Sequence, residues 1–117
     1  MDEKEIEMTT EKDPHGKDPH VAGAKLDAGK CRVWLMFAGF PRALEEVARV
    51  TTEGAKKYTP NGWRDVPEGK ERYMDAFGRH MLELAKGEVL DRDTQCYHKA
   101  QMIWNLMASF ELELPNE

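Results

Sequence analysis

Cysteine is scarce in this chain. Cys31 and Cys96 are the only two, too few for the disulfide framework of a small secreted domain and without the paired spacing of a zinc motif. Reduced thiols in a cytoplasmic setting are the expectation. Long apolar runs are lacking as well. The most hydrophobic stretch, residues 31–40 (CRVWLMFAGF), is too short to span a bilayer, and the acidic N-terminus is unlike a secretory leader. Positive charge is in the minority: 17 Lys and Arg stand against 22 Asp and Glu, a formal net charge of -5. That balance argues against direct DNA binding, although lysines clustered locally can still hold a small anion. Outside residues 31–40, no segment shows the alternation of a strand. What remains is a length of 117 residues, suited to a single domain with one modest core.

The chain in order gives a polar arm and then helices. Residues 1–22 are charged and without period, and they repeat a short unit, Lys12-Asp13-Pro14-His15 and Lys17-Asp18-Pro19-His20. The prolines bar a helix, so the segment reads as a flexible arm rather than a metal clip. Residues 23–117 form the expected single helical domain. It opens with Gly23-Ala24-Lys25-Leu26-Asp27-Ala28-Gly29-Lys30, where glycines and lysines suit either an anion-binding loop or a plain turn. Residues 31–40 read as an extended segment or short helix tucked against the core.

Three amphipathic helices follow. Pro41 suits a first turn, after which Leu44, Val47, Ala48, Thr51, Ala55 and Tyr58 recur at helical spacing. On another face Glu46, Glu53 and Lys57 line up, as a solvated ion-paired face or as a site. Thr59-Pro60-Asn61-Gly62 ends the helix, and the loop after it carries Trp63, placed to cover a core edge or to stack on a base. A second helix runs from about Lys70 to Lys86, with Tyr73, Phe77, Met81 and Leu84 on its stripe and His80 at the inner edge. Gly87 closes it as a C-cap. Asp93 or Thr94 is expected to cap the last helix, which runs to about Leu114 with Tyr97, Ala100, Ile103, Trp104, Met107, Phe110 and Leu114 as its core stripe. His98, Met102, Asn105 and Ser109 make an adjacent stripe, on which Asn105 is a structural anchor or a ligand contact. The fold class is all-α: a small bundle of three main helices plus a short N-terminal element, completed by a homodimer or higher homo-oligomer that covers the broad apolar faces.

The chemistry gathers around residues 79–98. Two histidines and several acids flank one connection between helices, and carboxylates with histidine can hold Mg²⁺ or Mn²⁺. Glu46, Glu88, Asp91 and His98 are the candidate ligands. Lys25, Lys30, Lys56 and Lys57 would neutralise a polyphosphate, and Trp63 or Tyr58 would stack on a base. Together these parts fit hydrolysis of a nucleoside triphosphate, although each alone has a structural explanation.

Read together, the segments Gly23-Ala24-Lys25-x-Asp27-x-Gly29-Lys30, Ala43-Leu44-Glu45-Glu46-Val47-Ala48-Arg49-Val50, Gly54-Ala55-Lys56-Lys57-Tyr58, Asn61-x-Trp63, Arg79-His80, Gly87-Glu88-x-x-Asp91 and His98 with Trp104-Asn105 resemble a known family. It is the phage and prophage dATP/dGTP diphosphohydrolase N-terminal-domain family, linked to the MazG-like all-α nucleoside triphosphate pyrophosphohydrolases. The resemblance implies a helical, oligomeric protein that hydrolyses a purine deoxynucleoside triphosphate to the monophosphate and pyrophosphate with Mg²⁺ or Mn²⁺, adjusting a phage nucleotide pool in the host cytoplasm. On that reading Glu46, Glu88 and Asp91 bind metal, and His80, Asp91 and His98 are catalytic. Lys25, Asp27, Lys30, Lys56, Lys57, Tyr58, Trp63 and Asn105 contact the substrate. Two other readings use the same residues differently. One is a protein that sequesters a nucleotide or cyclic nucleotide without hydrolysis; the other is a helical partner-binding module.

Overall fold

A computed structural model describes residues 11–116, and residues 1–10 of the expected arm lie outside them. The chain separates into two compact units, one ending at Ala38 and one beginning at Gly39.

In the first unit, Asp13 organises part of the segment expected as an arm. Its carboxylate accepts the backbone N–H of His15 at 2.7 Å and of Lys25 at 2.8 Å, while Ala28 N–H donates to the Lys12 carbonyl at 2.8 Å. The Lys25 N–H above all holds the Asp13 carboxyl below its ordinary value, because a hydrogen-bonded carboxylate resists protonation. Helix α1 (Val33–Gly39) then takes up the apolar run. It is a helix, as one of the two expectations had it. None of its residues is buried, and Trp34 is 80% exposed.

The second unit is all-helical. Helix α2 (Pro41–Lys57) starts with Pro41 in its first turn and ends in Lys56 and Lys57. Asn61, at φ 60°, turns the chain into a single 3₁₀ turn (Gly62–Asp65), followed by α3 (Gly69–Ala85) and α4 (His98–Glu113). Helices α3 and α4 pack along each other, and α2 packs on α4. Among the described residues there is no strand, only an antiparallel bridge between Leu90 and Tyr97.

Two expectations are corrected. The last helix begins at His98, not near Asp93, because the chain around the expected caps Asp93 and Thr94 is bonded within the loop. The Asp91 carboxylate takes the Asp93 N–H at 2.9 Å, and the Thr94 hydroxyl takes the Cys96 N–H at 3.1 Å. Gln95 then turns the backbone through φ 62°.

The second correction concerns which face of α4 is inside. His98, Ala100, Gln101, Asn105, Ala108 and Ser109 are buried, whereas Ile103, Met107, Phe110 and Leu114 of the expected core stripe are exposed. Small and polar side chains let α3 approach closely. A Cβ on Gly69 would sit 2.9 Å from Leu112 Cδ1, and the Ser109 hydroxyl donates to the Lys70 carbonyl at 2.9 Å. The bundle edge is closed by three rings in edge-on contact: Trp63 and Trp104 at 5.8 Å, Tyr73 and Trp104 at 5.6 Å, and Trp63 and Tyr73 at 6.2 Å. The Tyr73 hydroxyl donates to the Trp63 carbonyl at 2.8 Å.

Candidate metal centre

The connection between α3 and α4 positions the site. Gly87, at φ 100°, ends α3 in a Schellman turn: its N–H reaches the Leu84 carbonyl and the Glu88 N–H reaches the Glu83 carbonyl, both at 3.0 Å. A residue with a Cβ would be strained at that φ, so the glycine fixes the direction in which Glu88 leaves the helix. The chain then folds back on itself. Asp91 N–H donates to the Cys96 carbonyl at 2.8 Å and His98 N–H to the Val89 carbonyl at 3.0 Å, on either side of the Leu90–Tyr97 bridge. This closed loop sets Glu88, Asp91 and His98 beside His80 of α3.

Three side chains converge. One donor atom from each of His80, Asp91 and His98 lies within 4.8 Å of the other two. The two Nδ1 atoms are 2.9 Å apart, and Asp91 Oδ2 is 4.0 Å from His80 Nδ1. The His98 side chain is 3% exposed. Its Nε2 lies 2.9 Å from Glu88 Oε1, while Glu88 Oε2 is taken by Arg92 Nε at 3.0 Å. An ionised carboxylate can only accept, so His98 Nε2 is the donor to Glu88 and its Nδ1 is the nitrogen that faces His80. Asp91 is held on both oxygens: Asp93 N–H binds Oδ1 at 2.9 Å and the Gln101 amide binds Oδ2 at 3.1 Å.

Charge follows the same pattern. The hydrogen bond from His98, ahead of Arg92 and against burial, holds the Glu88 carboxyl below its ordinary value. Burial pushes Asp91 up, but the Asp93 N–H, the Gln101 amide and the two histidines outweigh it and leave Asp91 lowered. Burial foremost, then the neighbouring His98, lowers His80 despite the pull of Asp91. A neutral imidazole and an ionised carboxylate are the protonation states a metal requires. The three donor atoms lie within 4.8 Å of one another, and the two Nδ1 atoms, 2.9 Å apart, become a pair of ligands once the proton between them is lost. The residues present therefore fit a divalent cation.

The family of dATP/dGTP diphosphohydrolase N-terminal domains matches residues 11–117. This chain belongs to that family. A relative within reach is a protein of Salmonella phage PMBT28 named dATP/dGTP diphosphohydrolase, 39% identical over 92 residues, which are 79% of this chain. The chain spans 30% of that relative's length. No solved structure matches it.

The other site residues expected from the sequence are placed as follows. Glu46 stands outside the cluster, paired with Arg49 at 3.4 Å on α2, and it lines an open hollow of about 410 Å³ with Arg42, Ala43, Glu45 and Tyr97. Glu88 contacts His98 rather than joining the three converging donors. Lys56 pairs with Glu53 at 3.2 Å, Lys57 lies over the Tyr58 ring at 5.5 Å, and Tyr58 is exposed. The Trp63 ring is engaged by Tyr73, Trp104 and the Arg64 guanidinium. Asn105 is buried and donates to the Gln101 carbonyl at 2.8 Å. In the first unit Lys25 and Asp27 are exposed, and Lys30 pairs with Glu11 at 2.7 Å. Gln101, which holds Asp91, is the residue sequence reasoning missed. Its spacing of three from His98 put it on the same face, and that was the available signal.

Proposed function

We propose that this chain takes part in metal-dependent hydrolysis of a purine deoxynucleoside triphosphate to the monophosphate and pyrophosphate. The observation that carries the reading is the convergence of His80, Asp91 and His98 in a chain whose family takes its description from that activity. Because the chain spans 30% of the named relative, the activity is inferred for this chain rather than transferred to it.

His80, Asp91 and His98 would hold the cation, with Mg²⁺ or Mn²⁺ the expectation from sequence. Such an ion, when bound, supplies Lewis acidity to phosphate oxygens and a water of lowered pKa. The chain's own residues do the rest. Glu88 fixes the ring of His98, Gln101 fixes Asp91, and Lys56 and Lys57 at the end of α2 offer positive charge for the triphosphate. Exposed Tyr58 offers a face for the base. In the reaction, water oxygen bonds to the α-phosphorus and the bond from that phosphorus to the pyrophosphate oxygen breaks. The water's proton passes to solvent or to a carboxylate of the site. In an infected host this would adjust the deoxynucleotide pool. No helix among the described residues is long and apolar enough to cross a membrane.

A homo-oligomer belongs to the same proposal. Ile103, Met107, Phe110 and Leu114 are exposed on one side of α4, and no large side chain among the described residues is fully enclosed. A second copy would bury that face.

A second reading, nucleotide binding without hydrolysis, is favoured by one observation: Glu46 is paired with Arg49 and stands apart from the three converging donors. A panel of deoxynucleoside triphosphates with Mg²⁺ or Mn²⁺ separates the two. Pyrophosphate released by the wild-type protein and lost in Asp91→Asn supports the enzyme. Tight binding with the nucleotide recovered intact supports sequestration, and a protein that neither releases pyrophosphate nor binds a nucleotide would overturn both readings.

A further inference from the structure

We infer that the His80–Asp91–His98 centre is a site for a borderline first-row divalent metal, in the range from Mn²⁺ to Zn²⁺, and that it discriminates against Mg²⁺, with Glu88 a positioning residue rather than a ligand. This rests on reading the three residues as a metal centre, and it does not rest on the hydrolysis.

The donor set makes the choice of metal. Two of the three converging atoms are imidazole nitrogens. Mg²⁺ demands oxygen ligands and gives up its waters reluctantly, whereas imidazole suits Zn²⁺, Fe²⁺ and Ni²⁺ and is accepted by Mn²⁺. A single carboxylate, Asp91, is left to satisfy a hard ion. The Irving–Williams order then places Zn²⁺ above Mn²⁺ in affinity.

Glu88 has a different task. Its two oxygens are committed to His98 Nε2 at 2.9 Å and Arg92 Nε at 3.0 Å. A carboxylate on the far nitrogen of a histidine fixes the tautomer and makes the near nitrogen a better ligand. Asp91 is also held in place: its far oxygen Oδ1 accepts the Asp93 N–H at 2.9 Å, and Oδ2, the oxygen 4.0 Å from His80 Nδ1, accepts the Gln101 amide at 3.1 Å. Here both a nitrogen ligand and an oxygen ligand have a partner that aims them inward, on a loop closed by its own backbone bonds.

The test uses the full chain without nucleotide. Calorimetric titration with ZnCl₂, MnCl₂ and MgCl₂ should give about one Zn²⁺ or Mn²⁺ per chain, Zn²⁺ tighter, and no displacement of Mn²⁺ by a hundredfold excess of Mg²⁺. Pulsed EPR of the Mn²⁺-loaded wild-type protein should show nitrogen couplings from imidazole, a readout that needs no variant. His80→Ala and Asp91→Ala should abolish the stoichiometric site. Glu88→Ala should weaken it roughly 10- to 100-fold without abolishing it, and Glu88→Gln should recover part of the loss through its side-chain oxygen. Mg²⁺ competing as an equal, Mn²⁺ without nitrogen couplings, or a Glu88→Ala protein as empty as Asp91→Ala would each overturn the inference. If no divalent metal binds, the metal part of the proposed function falls with it. If metal binds as stated and no nucleotide is hydrolysed, only the hydrolysis falls.

Discussion

The two sides of α4 are built in opposite ways. The side against α3 carries His98, Gln101, Asn105 and Ser109, all buried, and the hydrogen bonds found for it leave no buried side-chain polar atom among the described residues without a partner. The side away from it carries Ile103, Met107 and Phe110, each exposed. An isolated amphipathic helix would be expected to turn the other way. The difference teaches that α4 serves two surfaces. Its polar side is affordable inside because every group is bonded, and it shapes the site. Its apolar side is unspent within one chain, which is why the proposed oligomer and the proposed metal centre lie on opposite faces of one helix.

The comparison breaks most severely at His98. Replacing it with Ala removes both the Glu88 and His80 contacts and strands two partly buried partners, so we expect a loss of roughly 2–3 kcal/mol in unfolding free energy. Chemical denaturation checks this, and a loss under about 0.5 kcal/mol would mean that the polar side is not structural. Acid should act on the same side. His80 is lowered, so the unfolded chain binds its proton at a higher pH than the folded chain does. Its contribution is full above about pH 6.5, its ordinary value, and is lost as pH falls through the folded value. Glu88 and Asp91 are lowered too, and theirs is present above their ordinary values of 4.5 and 3.8 and lost below. All three signs agree. Melting temperature, followed by circular dichroism, should decline from just below pH 6.5 toward pH 3, and a rise between pH 7 and pH 5 would contradict the assignment.

Periodicity made α2 and α3 legible, since Pro41, Gly87 and the stripes of Leu44–Val47 and Tyr73–Phe77 each act locally. The start of α4 was not legible. Asp93 and Thr94 have the side chains of helix caps, and nothing in their identity says that the Asp93 N–H and the Thr94 hydroxyl bond within the loop instead. The inward side of α4 was hidden for another reason: apolar spacing marks a face that wants burial, without saying whether its own chain provides it. At the site, Asp91 and His98 could be picked out because acids and a histidine flank one glycine-capped turn. That Glu88 would meet His98 Nε2, or Gln101 would meet Asp91, depends on a backbone reversal through Gln95 at φ 62°, which no residue type announces.

A smaller effect is expected midway along the polar side. Ser109→Ala deletes the bond to the Lys70 carbonyl and should cost about 1 kcal/mol, read by denaturation, with nucleotide and metal binding unchanged.

The smallest effect on folding, and the sharpest for the comparison, belongs to the apolar side. Met107→Glu with Phe110→Glu changes two exposed residues, at 56% and 55% of their accessible surface, so folding of the single chain should shift by no more than about 0.5 kcal/mol. If a second copy covers this side, two charges placed there must be desolvated on assembly, and each copy presents the same patch to the other. Sedimentation or light scattering should then show the wild type as an oligomer and the double variant as a monomer that, on the proposed metal site, still binds Zn²⁺, since His98 lies on the opposite, buried face. A wild-type protein that is monomeric at tens of micromolar would remove the second copy as the cover for this face, and a double variant that loses metal would show that the two sides of α4 are not independent.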